Sequence, residues 1–362
     1  MLTGPALQNA VDAIVVACRA GLDLDTLHAV VLPRLRKVVP VDALWWAAAD
    51  PATLLFTGAR REGLPADSGP YFVENEILHD DVNKWTDLAR SRDGVSTLMR
   101  ATEGHPEQSE RYRDIFAPLG LRDEMRAVLR VRGTSWGYLC LHREGAEASF
   151  SEAEAAFVQR IAPHLADGLR TGLVRAAVDQ PTVPRQDAGS PGLVLMRVDG
   201  TVVGLNEAAE AWLEDLGGRS DGRDLPVEIR ALATGISHPE ALHRPLPRLR
   251  VRTRSGRWAT LNASWMTSEL DGTIAVIIEN ADVAEIAPVI MSAYGLTPRE
   301  QEVARYVCQG LSTREISTRL HLTADTVQDH LKSIYNRTGV HSRPELVALI
   351  FQREYLPHLT HG

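Results

Sequence analysis

The stretch from Gly295 to Tyr355 constrains this chain most, because it lets helices start and stop at only a few places. Three Ser/Thr-x-x-Glu pairs stand within about 50 residues: Thr297 with Glu300, Ser312 with Glu315, and Ser342 with Glu345. In each, the hydroxyl can accept the amide three residues on, while the carboxylate reaches back to the first amide. Pro298 takes the first helical position, where its missing N–H costs nothing. Thr323 opens a fourth helix, with Asp325 near the positive end of its dipole. Gly310 and Gly339 stand where helices close in the left-handed conformation. The reading is four helices, at about 298–308, 313–320, 324–338 and 343–354.

Their apolar spacing describes one core. Val303 and Val307, Ile316 and Leu320, and Val327, Leu331 and Ile334 recur at three or four residues. Only His321, Leu322 and Thr323 separate the second helix from the third. So short a turn forces a steep crossing, which is helix-turn-helix geometry with the third helix placed to enter a major groove. Off its core stripe that helix carries Gln328, suited to adenine N6 and N7, Lys332, suited to guanine O6 and N7, and Asp329, suited to cytosine N4. Thr313, Thr326, Ser333, Asn336 and Arg337 suit phosphates, which fix position and not sequence. Any one of these residues also belongs on an ordinary wet helix face. The coincidence of capping boxes, short turn and polar face favours DNA.

Charge limits how such a surface can work. The chain has 39 basic and 47 acidic residues, a formal net of −8, so a nucleic-acid surface must be a small patch. Residues 295–355 hold eight basic and seven acidic side chains, and Lys332 and Arg337 on the third helix are balanced by Asp325 and Asp329. Phosphate attraction drives non-specific affinity, so one copy is expected to bind weakly. Paired half-sites on a near-palindromic duplex, read by a homodimer, are expected to supply the rest. In the last helix Leu346, Leu349 and Ile350 can face the core, leaving Val347 and Phe351 for a second copy or for the upstream domains.

Residues 296–343, LTPREQEVARYVCQGLSTREISTRLHLTADTVQDHLKSIYNRTGVHSR, resemble the LuxR/FixJ/GerE-type DNA-binding domain nearly end to end. The resemblance covers the last sixth of the chain. It rests on LTPRE, the QGLS turn, Glu315-Ile316, Thr326-Val327 with His330, and GVHSR. It implies a third helix in the major groove, a last helix at a dimer contact, and groove-facing positions at Gln328, Asp329 and Lys332. One departure is the glutamine at 328, where many members carry lysine, with the negative charge of Asp329 beside it.

Upstream, apolar patterning alternates between helix and strand. Residues 6–19 and 24–38 read as helices, 43–49 and 52–58 as a hairpin around Asp50-Pro51, and a helical stretch then carries Ile77, Leu78, Val82, Trp85 and Leu88. Two strands meet at Gly133, and Ser151 with Glu154 caps a long helix. Residues 178–192 are rich in Pro, Gly and polar residues and read as a linker. From 193 the order is strand, Asp199-Gly200 turn, strand, helix from Glu207 to Leu216, an irregular stretch, and three strands. The fold class is multidomain α+β: antiparallel-sheet domains at 1–177 and 193–285, then a four-helix domain at 292–357. SWGYLCLHRE with SFSEAEAAFVQRIAPHLADGLR is similar to the end of a GAF domain, and LVLMRVDGTVVGLNEAAEAWL resembles a degenerate PAS fold. Both resemblances imply a small ligand or a partner protein as effector.

Trp45, Phe56, Phe72, Trp85 and Trp136 are the candidates for lining a ligand cavity in the first domain, since core and pocket share walls in such a fold. Five arginines between Arg248 and Arg257 alternate with apolar residues, so they read as one strand face turned to water or to a neighbouring domain. His79-Asp80-Asp81 has no second histidine at helical spacing, and no metal or cofactor is expected. Cys140, in an apolar strand, reads as a small buried hydrophobe. No nucleophile–base arrangement or phosphate loop marks an enzyme, which leaves a signalling enzyme or docking protein as the competing class. A sigma-like factor fits less well, because the upstream strands are not an all-helical promoter-melting region. No apolar run is long enough for a membrane span, no signal peptide is read, and three dispersed cysteines (Cys18, Cys140, Cys308) suit a reducing cytoplasm.

Overall fold

The computed structural model describes residues 4–65, 68–145, 149–179, 190–219, 224–237, 248–266 and 272–355. Most of the 178–192 linker, residues 180–189, lies outside them. The chain divides into two compact units: 1–172 with 189–280, and 173–188 with 281–362. Among the described residues no helix is long and apolar enough to cross a membrane.

The first unit begins with α1 (Gly4–Arg19) and α2 (Leu24–Arg36), followed by β1 (Ala43–Ala49) and β2 (Phe56–Glu62). Then come α3 (Ser68–Leu78), α4 (Trp85–Arg90), β3 (Val95–Thr97), α5 (Leu98–Ala101), β4 (Leu121–Val131), β5 (Thr134–Glu144) and α6 (Glu152–Asp179). The sheet is antiparallel in the order β2-β1-β5-β4-β3. Its strand β1, ALWWAAA, is buried along nearly its whole length, as expected of a strand covered on both faces. The β4–β5 turn places Arg132 and Gly133 both at positive φ, 53° and 80°, which is the two-residue geometry that matches strand twist. The capping box at the head of α6 forms as expected: Glu154 Oε2 accepts from the Ser151 amide at 2.8 Å, and Ser151 Oγ from the Glu154 amide at 3.3 Å.

Three local readings change here. The second hairpin strand starts at Phe56, because Asp50 builds a longer turn: its carboxylate accepts from the Ala52 amide, its carbonyl from the Leu54 amide, and Leu54 takes φ 61°. The helical stretch around 77–88 is two helices, since Asp81 is drawn into hydrogen bonds with Asn75, Ser109 and Arg111. The irregular stretch of the central domain contains a helix.

That central domain holds β6 (Gly192–Arg197), β7 (Val202–Leu205), α7 (Glu207–Leu216), α8 (Val227–Ser237), β8 (Leu249–Arg252), β9 (Trp258–Trp265) and β10 (Thr273–Asn280). Its antiparallel sheet runs β7-β6-β10-β9-β8, the same order as the first when each is numbered from its own first strand. The arginine-bearing strand β8 is an interdomain face: Arg250 Nε and Nη2 donate to the two Asp50 carboxylate oxygens at 2.9 and 3.1 Å.

The second unit contains α9 (Val283–Ala293), α10 (Pro298–Cys308), α11 (Thr313–Leu320), α12 (Ala324–Thr338) and α13 (Arg343–Tyr355). One apolar cluster joins them through Val303, Val307, Ile316, Val327, Leu331, Ile334 and Leu346. Full capping boxes form at Thr297/Glu300 and Ser312/Glu315. At the third, the Glu345 amide donates to Ser342 Oγ at 3.3 Å, while its carboxylate reaches the His341 amide, one residue further back. Gly339 closes α12 at φ 72°, in the left-handed region.

Candidate nucleic-acid interface and buried pocket

Helix α12 separates its two faces cleanly. Val327, Leu331 and Ile334 are buried, while Gln328, Asp329, Lys332 and Asn336 are exposed and Thr326 is half-buried. Its N-terminus is capped by Thr323, whose Oγ accepts from the Thr326 amide at 3.1 Å. The chain enters it through His321, a non-glycine residue in the left-handed region at φ 53°. Gln328 Nε2 donates to Thr313 Oγ1 at 3.3 Å, and Arg343 donates to the same oxygen at 2.8 Å. These contacts tie α11, α12 and α13 together beside the exposed face. Lys332 and Asp329 lie 3.8 Å apart, both more than three-quarters exposed. An exposed pair of this kind is weak, so both groups remain available to a polar partner.

Two of the phosphate candidates are placed differently. Ser333 Oγ donates to Glu300 Oε1 at 2.5 Å, and Arg337 sits 3.5 Å from the same oxygen while donating to the Gly295 carbonyl at 2.9 Å. Both side chains brace α12 against α10. Burial pushes the Glu300 carboxyl up, but hydrogen bonds from Ser333 and Thr297 and the charge of Arg337 outweigh it and hold it below the usual range. Val347 packs against the domain core, where the sequence had assigned it to another surface. The Phe351 side chain lies outside the described residues.

In the first domain the structure gathers four of the five cavity candidates. Trp45 makes an edge contact with Phe56 at 4.8 Å, a tilted one with Phe72 at 5.1 Å, and stacks toward Trp85 at 6.4 Å. Tyr138 completes the group, stacked on Trp85 at 4.7 Å. Trp136 is buried but stands apart from this cluster. Leu129 pairs with Gly137 and Arg130 with Ser135, so Trp136 is the extra residue of a bulge.

Beside the aromatic group lies a buried ion cluster that sequence reasoning missed. Glu124 accepts from Arg111 Nε and Nη2 at 3.1 and 2.8 Å and from Arg126 Nε at 3.1 Å. Arg126 Nη1 reaches Glu76 at 2.8 Å, and its guanidinium lies 4.2 Å over the Trp85 ring and 5.2 Å over Phe72. Lys84 Nζ donates to the Asn75 and His79 carbonyls, both at 2.6 Å. Three cations (Lys84, Arg111, Arg126) thus face three carboxylates (Glu76, Asp81, Glu124). Burial pushes the Glu124 carboxyl up, but Arg111 and Arg126 prevail and lower it to about 2. Burial lowers His142 to about 4 and pushes the Cys140 thiol well up. The sequence hid it, because the alternate positions Arg122, Glu124, Arg126 and Arg130 of β4 read as a charged face turned to water.

Glu124, Cys140 and His142 offer ligand atoms within 4.8 Å of one another, the arrangement that could hold a cation. The Glu124 oxygens, however, already accept from two guanidinium groups and from Cys140 Sγ at 3.3 Å. A cation there would compete with buried positive charge.

Residues 295–350 match the family model described as bacterial regulatory proteins, luxR family, and residues 7–169 match that of the GAF domain. A Mycobacterium tuberculosis protein named as an HTH-type transcriptional regulator is 46% identical over 52 residues, 14% of this chain and 6% of its own. The nitrate/nitrite response regulator homolog of Haemophilus influenzae is 34% identical over 58 residues, 16% of this chain and 28% of its own. The chain therefore spans less than a third of the length of these relatives. The Escherichia coli SdiA structure aligns over 94% of this chain and 95% of that one at 11% identity, with a TM-score of 0.33, too low to bear on the fold. Residues 295–350 are a helix-turn-helix domain of the luxR family of bacterial regulatory proteins, and residues 7–169 are a GAF domain.

Proposed function

We propose that this chain is a cytoplasmic transcription regulator that reads double-stranded DNA through α12 and is gated by an effector sensed upstream. The observation that carries the reading is the division of α12: Gln328, Asp329 and Lys332 exposed on one side, Val327, Leu331 and Ile334 buried on the other. Gln328, Asp329 and Lys332 meet base edges, while Thr313, Thr326 and Asn336 lie nearer the phosphates. Ser333 supports the helix through Glu300, while Arg337, exposed although it also contacts Glu300, lies nearer the phosphates. Because the second unit is nearly neutral, two copies act together on a near-palindromic site, with α13 at the contact between them through Phe351 and through the part of Val347 that its own core leaves uncovered.

Gating uses the GAF domain, at 1–177 in our division, and a PAS-like central domain at 193–285, joined by the linker 178–192. The shared strand order of the two sheets supports that pairing. A small ligand or protein effector changes domain packing or dimer spacing, and it does so only if it binds one arrangement better than the other.

The test substitutes Gln328→Ala and Lys332→Ala and measures duplex affinity against salt, with light scattering of the complex. Expected are two copies per site, relaxed base preference, and for Lys332→Ala a shallower salt slope. Unchanged preference and slope, or one copy per site, would refute the assignment.

A further inference from the structure

The aromatic group of the GAF domain is not closed by that domain alone. Ala231 of α8, fully buried, belongs to the same apolar cluster as Trp45, Phe72 and Trp85, and Val227 packs against it. Leu55, in the β1–β2 turn, packs against both this cluster and the core of the central domain. The turn is fastened from both sides. Tyr138 Oη donates to the Leu54 carbonyl at 2.9 Å, and Arg250 of β8 holds Asp50. A helix of the central domain is therefore a wall of the first domain's interior.

Two donors beside the aromatic rings have nothing to bind, and His142, further along β5 against Phe116, leaves both ring nitrogens unpartnered. Trp85 Nε1 and Arg126 Nη2 are buried and have no hydrogen-bond partner. A buried donor left unmade is costly, so each calls for an acceptor that the chain does not provide. The neighbouring charges already cancel, three against three, so an added anion would leave uncompensated buried charge. The missing partner is an uncharged acceptor, and the walls around it are aromatic faces.

We propose that the aromatic group and α8 together form one ligand site, which takes a flat, uncharged molecule presenting a carbonyl oxygen to Trp85 and Arg126. The proposal rests on the effector-gated reading above and names the chemistry and the second wall of that same site. Since α8 is part of the wall, occupancy is felt directly by the central domain.

Prodan, a flat neutral naphthalene ketone whose emission reports its surroundings, is a suitable probe for the full chain. Saturable one-to-one binding is expected, with blue-shifted emission and energy transfer from tryptophan. Trp85→Phe keeps most of the ring and removes the donor, so it should weaken binding about fivefold. Ala231→Trp puts a large side chain into the apolar cluster from the α8 side and should abolish binding, with Ala231→Leu as a milder variant if the first does not melt cooperatively. Gly235→Ala, where an added Cβ meets nothing within 4 Å, should leave binding unchanged. Saturable binding that survives both Ala231 variants would remove α8 from the site and leave effector gating intact. Absence of saturable binding by the wild-type chain would overturn the ligand site itself.

Discussion

Replacing Glu124 by Gln tests the buried ion cluster most severely. The carboxylate accepts three hydrogen bonds from Arg111 and Arg126, at 2.8 to 3.1 Å, and one from Cys140. Glutamine preserves the volume but offers one acceptor oxygen, turns an NH2 group toward a guanidinium, and leaves three buried cations against two carboxylates. Breaking a buried pair on one side costs about 3–5 kcal/mol, and that is the loss expected at pH 7. The pH dependence gives an independent check. The folded value is lowered from 4.5 to about 2, so the contribution is present above 4.5 and lost as pH falls toward 2. The gap between wild type and Glu124→Gln should therefore narrow on acidification, by on the order of 1 kcal/mol between pH 7 and pH 4. Urea denaturation followed by near-ultraviolet circular dichroism of the aromatic group measures both. A loss below about 1 kcal/mol, or a gap that widens on acidification, would refute the reasoning.

Glu228, buried on α8 next to Arg60 and Arg254, has the opposite sign: burial raises it to about 7 despite those charges. Its contribution is intact below the usual value of 4.5 and lost as pH rises through 7. Glu228→Gln should therefore gain stability over wild type as pH rises from 5 to 8, by on the order of a few kcal/mol in urea melts, and a constant difference would contradict this. Ser312→Ala removes the cap of α11, which accepts from the Glu315 amide at 3.3 Å, and should cost about 1 kcal/mol. Amide exchange in α11 should then quicken about fivefold, while exchange in β4 and β5 stays the same.

How far the sequence foretold the structure varied by region, for physical reasons. In the last 60 or so residues nearly every signal was local: caps, a proline at the first position, glycines at the ends. The four helices accordingly fall within a residue of their expected bounds. Helix α8 was hidden because Ile229, Ala231, Leu232, Ala233 and Ile236 are all buried, packed against two domains at once. A helix covered on several sides shows no polar stripe. The break between α3 and α4 depends on Asp81 reaching Arg111, thirty positions away. The same long-range partnership conceals the ion cluster, since charges on separate elements reveal their pairing only once the sheet has formed. Trp136 was counted with the pocket as one of the domain's aromatics, and the bulge that sets it apart depends on how β4 pairs with β5. On α12 the polar face was legible, but the diversion of Ser333 and Arg337 to Glu300 required knowing where α10 packs.

The most direct test of the central claim is selection of duplexes from a randomised pool by the full chain and by its Gln328→Ala variant. The account predicts a near-palindromic site for the wild type, and for the variant a loss of preference at the same base pair in each half. An identical enriched sequence for both proteins would contradict it.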